Sequence, residues 1–236
     1  MRLATIMLVA MMALNGTPIS PFGFVKRLTP GKTAPASQPV NLFTADTDGG
    51  ATYGDGRWNI PAGITSTIGQ AGPTAAPNAW KIVNTAGSQF LQSSNLDDMT
   101  LYSDGYLGGS ICFSIYMMNV NTPSGTSIRF YTPTGGAGDY LFEVNVTFAS
   151  ATSKTISSVT AGSDIVSIGG DVGYESAGGD WYRVWGHVPL LTETYDDWEI
   201  RLMHFKTTAD PTAEMWYAGP QVNPGTAPDV FVPVEA

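Results

Sequence analysis

Hydrophobic and polar positions alternate most cleanly in YLFEVNVTF (140–148). Tyr140, Phe142, Val144, Val146 and Phe148 fall on one side, with Glu143, Asn145 and Thr147 on the other. A period of two marks a strand with one face buried and one wetted. ICFSIYMMNV (111–120) is apolar nearly throughout, as expected of a central sandwich strand. SIRFYT (127–132), WYRVWGHV (181–188), WEIRLMHF (198–205) and EMWYAGPQV (214–222) continue the series, and WKIVN (80–84) and SQFLQ (88–92) are shorter candidates. Between these runs lie TPSG, TPTGGAGD, GGDVGYESAGGD and NPGTAPD, all rich in turn formers. The pattern predicts an all-β protein, an antiparallel jelly roll or β-sandwich, without a strong helix or a tandem repeat.

DWYRVWGHV (180–188) concentrates rings and charge. On a strand, Trp181, Arg183, Trp185 and His187 share one face, and Tyr182, Val184 and Val188 the other. The second set reads as a core stripe. The first admits two readings: a surface that stacks on sugar rings while Arg183 donates to hydroxyls, or buried tryptophans with Arg183 paired to an acid.

Composition agrees with the β reading: 43% hydrophobic, only 13% charged, with 27 Gly and 16 Pro. Cys112 is the single cysteine, so an intrachain disulfide and a cysteine metal cluster are excluded; it reads as a small buried hydrophobe. The net charge of −9 is unevenly spread. Arg2, Lys26, Arg27 and Lys32 lie in residues 1–40, which contain no acid, so all 20 Asp and Glu fall in 41–236. Such an acidic body disfavours nucleic acid and anionic membranes as partners.

The first 40 residues read as an arm. MRLATIMLVAMMALNG resembles a secretory signal, with one basic residue and an apolar stretch from Leu3 to Leu14, but lacks a small-x-small cleavage site. The stretch is too short for a membrane-spanning helix. We therefore expect a retained arm docking on another protein, with Leu3, Ile6, Leu8, Met11, Leu14, Phe22, Phe24, Lys26 and Arg27 as anchoring residues; a cleaved signal is the alternative. Pro30, Pro35 and Pro39 mark a linker, and the globular domain is expected over 41–236.

Catalytic patterns are weak. His187 and His204 lie on separate predicted strands without zinc-ligand spacing. Asp97-Asp98 and Asp196-Asp197 are the carboxylate pairs that glycoside hydrolysis would draw on, but neighbouring residues point in different directions. Asp46, Asp48 and Asp55 are calcium-type oxygen ligands in a loop that lacks a terminal Glu and reads as a turn. No cofactor and no enzymatic activity is expected.

Six stretches in order resemble the β-sandwich module of bacteriophage head spike and fibre proteins: NLF (41–43), Trp58, CFSIYMM (112–118), GDWYRVW (179–185), WYAGPQVNPGTAP (216–228) and FVPV (231–234). Gln221 and Gly225 match the closing motif, and Phe231-Val232-Pro233 stands where that family has Tyr-Ile-Pro. Asn223 replaces the motif's acid, and its Trp-Gly pair is spread as WYAG. The resemblance covers residue 41 to the end. It implies a carbohydrate-binding-module-like jelly roll on a virion surface: a head spike, fibre or capsid decoration subunit, joined to other virion proteins through residues 1–40. A homo-oligomer, a trimer by expectation, would follow. Host surface polysaccharide is the implied ligand, with Arg129, Tyr131, Trp185 and His187 as candidate contacts. A tail-associated adhesin and a secreted carbohydrate-binding protein are the alternatives.

Overall fold

The computed structural model describes residues 58–59, 62–85, 89–93, 110–122, 125–131, 141–189, 199–204 and 213–232. Among these residues twelve strands and one short helix follow one another: β1 (Trp58–Asn59), β2 (Ile64–Ala71), β3 (Asn78–Asn84), β4 (Gln89–Ser93), β5 (Ile111–Asn121), β6 (Thr126–Tyr131), β7 (Leu141–Phe148), β8 (Ile156–Ala161), α1 (Ser163–Ser167), β9 (Asp171–Gly178), β10 (Trp181–Val188), β11 (Glu199–His204) and β12 (Ala213–Pro224).

They form two six-stranded sheets, one ordered β1-β4-β11-β6-β7-β8 and the other β2-β3-β12-β5-β10-β9, and every pairing is antiparallel. The pairs β3·β12, β4·β11 and β5·β10 are nested along the chain and fall alternately in the two sheets. That is the wrapped ribbon of a jelly roll.

The core lies between the sheets. Phe113 of β5 stacks on Phe130 of β6 with centroids 5.4 Å apart, and Phe130 on Phe142 of β7 at 6.5 Å. Trp80, Ile82, Val184, Leu202 and Tyr217 are among the residues packed with them. Across the core the Tyr217 hydroxyl of β12 meets the Thr126 hydroxyl of β6 at 3.3 Å. On β7 the observed burial alternates as the sequence predicts.

Four strands depart from the expectation. β9 runs through GGDVGYESAGGD, which reads as a turn, and β1, β2 and β8 are not signalled as strands. All four end a sheet among the described strands. β2 and β9 are mostly exposed and β8 half so, with full burial only at Ile64 of β2 and Ile156 of β8. The anchoring residues Leu3, Ile6, Leu8, Met11, Leu14, Phe22, Phe24, Lys26 and Arg27 lie outside the described residues. So do Asp46, Asp48, Asp55, Asp97, Asp98, Asp196 and Asp197.

Candidate functional site

The register across β12, β5, β10 and β9 arranges the outer face of their sheet in rows. One row is Asn223, Cys112, His187 and Asp171; the next is Gln221, Ser114, Trp185 and Gly173; the third is Ala218, Tyr116, Arg183 and Glu175. Trp181, Arg183, Trp185 and His187 do share a face, and Val184 and Val188 enter the core.

The third row and its neighbours are closed by residues 225–232, which follow β12 and return over the sheet. Arg183 is 4% exposed. Its Nη1 donates to the Asp229 carbonyl, its Nη2 to Ser114 Oγ at 3.0 Å and to Gln221 Oε1 at 3.4 Å. The guanidinium also lies 5.2 Å from the Tyr116 ring centroid. Gln221 Oε1 accepts from the Val232 amide at 3.3 Å, and Gln221 Nε2 donates to the Val230 carbonyl. Asn223 uses both halves of its amide, accepting from the Asp229 N–H and donating to the Ala227 carbonyl at 3.0 Å. A carboxylate at position 223 could not donate there.

Phe231 packs edge-on against Tyr116. It reaches that position because Gly219, at φ +51° in the bulge of β12, has no Cβ; one would sit 2.9 Å from the Phe231 ring. Arg183 is therefore a clasp for the chain's own C-terminal segment. Its described hydrogen-bond acceptors are neutral oxygens, not the acid the sequence suggests. Burial pulls its pKa below the ordinary value, opposed by Tyr116, Glu175, Cys112 and Asp229; the guanidinium stays charged.

Beyond the clasp, toward β9, the face opens. Trp185 is half-buried, and its six-membered ring lies across Gly173: a Cβ there would press into the ring, 2.6 Å from Cε2. Glycine opposite tryptophan thus lets the ring lie on the sheet. Asp171 and Glu175, on the same face of β9 and two residues either side of Gly173, are exposed. His187 faces Asp171 across the pair and is half-buried, with Nε2 buried and lacking a hydrogen-bond partner. Burial lowers its pKa, and Asp171 opposes that shift.

Cys112, His187 and Asp171 stand side by side, an order that suggests a thiol nucleophile. The details oppose it. Burial pushes the Cys112 thiol up to about 12, and its sulfur is aimed at the Phe113 carbonyl at 4.0 Å. The thiol stays protonated and inert. Among the described residues, no three of His, Cys, Asp and Glu come together to hold a metal ion.

Of the four candidate contacts, Trp185 and His187 come together on this face. Arg129 and the strand position of Tyr131 lie on β6, in the opposite sheet, so the four do not form one site. Arg129 is engaged: its Nε and Nη2 both lie 2.6 Å from Glu143 Oε1, directly across on β7. Asp171 and Glu175 are the residues that sequence reading missed. The available signal was Gly179-Asp180, a two-residue hairpin connection placed directly before WYRVWGHV.

No protein-family profile matches the sequence, and no curated protein sequence does. Solved structures similar in shape include the CBM22-1 xylan-binding domain of Paenibacillus barcinonensis Xyn10C, with TM-score 0.42 and 11% identity over 81% of this chain and 99% of that one. The CBM22-1–GH10 modules of Clostridium thermocellum endo-1,4-beta-D-xylanase 10B give 0.39 and 8%, covering 78% of this chain and 26% of that one. An exo-beta-agarase gives 0.41 and 13%, covering 72% and 25%. Likeness of this size is general; the strand order and register establish the jelly roll.

Proposed function

We propose that this chain is a non-catalytic glycan-binding jelly roll, displayed on a bacteriophage particle as a head spike, fibre or decoration subunit. The observation that carries the glycan reading is the Trp185 ring, laid across Gly173 and flanked by the exposed carboxylates of Asp171 and Glu175. An indole face takes the C–H face of a pyranose, and carboxylates accept hydrogen bonds from its hydroxyls. The virion setting is supported by the sequence resemblance. Ser114, Arg183, Gln221, Phe231 and Val232 come from four separate motif stretches and meet in one clasp, which favours reading those stretches as one signature.

Titration calorimetry with host surface polysaccharide tests the first part. Trp185→Ala is expected to weaken binding roughly ten- to thirty-fold, the equivalent of about 1.4–2 kcal/mol of lost stacking and apolar contact. Unchanged affinity would remove the site. Antibody-gold labelling of purified particles tests the second part, with gold on the head expected. Unlabelled particles, together with a mature mass lacking the first residues, would replace the virion setting with secretion.

A further inference from the structure

We infer that the glycan bound at the Trp185 face is uncharged or amine-bearing and not acidic, an inference that rests on the glycan reading of that face. The groups converging there come from four elements. β9 contributes Asp171 and Glu175, β10 contributes Arg183 and His187, β5 contributes Tyr116 and Cys112, and the segment after β12 contributes Asp229. Asp180, in the hairpin turn, adds an exposed carboxylate to the same edge.

The positive charge of Arg183 is not offered to a ligand. It is buried beneath residues 225–232 and donates to Asp229, Ser114 and Gln221. His187 is held toward its neutral form, and the Cys112 thiol is protonated. The other described cations lie elsewhere: Lys81 on β3, three strands from β10; Arg129 and Arg201 on the opposite sheet; and Lys154 in the turn between β7 and β8. What the described residues present to solvent beside the indole is therefore carboxylate. Sugar hydroxyls donate to it and a protonated amine pairs with it, whereas a uronate, sialate or phosphodiester meets like charge with no exposed cation among the described residues to receive it.

The test is a glycan array carrying neutral, N-acetylated, free-amine and acidic oligosaccharides, probed with the full chain at about 20 mM and about 500 mM salt. Free-amine and neutral glycans are expected to bind at least roughly tenfold better than their acidic counterparts at low salt. The gap should narrow at high salt, where charges are screened, and in the Asp171→Asn, Glu175→Gln double variant. Acidic glycans bound as well as neutral ones would overturn the inference and leave the glycan reading standing. Absence of any bound glycan would overturn the glycan reading itself.

Discussion

Arg183 illustrates how one side chain can be legible as a position and illegible as a role. Alternation alone puts it beside Trp181, Trp185 and His187, but its partners lie 38 to 69 residues away in the chain. Replacing it by Met leaves Ser114, Gln221 and the Asp229 carbonyl without their buried donor. A loss of about 2–4 kcal/mol in urea unfolding is expected. Faster hydrogen exchange at the Val232 amide should accompany it; unchanged exchange there would contradict the clasp. His187 supplies a pH dependence with a definite sign. Burial lowers its pKa below the ordinary 6.5. Between 6.5 and that lower value the unfolded chain binds more protons than the folded one, so this contribution to stability is complete above 6.5 and is lost as pH falls through the window. The imidazole proton resonances should titrate below 6.5, and lower still in Asp171→Asn, which removes the opposing charge. A midpoint above 6.5 would contradict the assignment.

At the scale of elements, the strands that sequence pattern finds are those with a packed face. β5, β7 and β10 carry the Ile, Phe and Val residues of the core, and their periodicity or apolar run is plain. β2, β8 and β9 close the ends of their sheets among the described strands; most of their residues meet solvent, so hydrophobic alternation has little to act on. The same physics divided the candidate site. Trp185 and His187 are readable on a strong strand, whereas Asp171 and Glu175 sit on a weak one whose place is set by pairing with β10. The proposed site depends on Gly173. Gly173→Val should drive the indole off β9, shift Trp185 fluorescence to longer wavelength, cost roughly 1–3 kcal/mol of stability from overpacking and reduce glycan binding. Retained binding with an unshifted spectrum would show that the ring does not rest there.

On the scale of the whole molecule, the two outer faces of the jelly roll differ. One carries the Arg129–Glu143 pair. The other is closed by residues 225–232 over the Arg183 clasp and opens toward β9. All-β architecture was legible because short apolar strands alternate with Gly- and Pro-rich turns. Which face holds the proposed site was not, since both present rings and charges at period two, and the register is what separates Arg129 from Trp185. The most direct measurement is a comparison of amide and indole NMR shifts, free and with a bound oligosaccharide. Our account predicts perturbations at the Trp185 indole N–H and at the amides of Asp171, Gly173 and Glu175. Perturbations confined to Arg129, Glu143 and Asn145, with Trp185 unmoved, would place the ligand on the other sheet and contradict it.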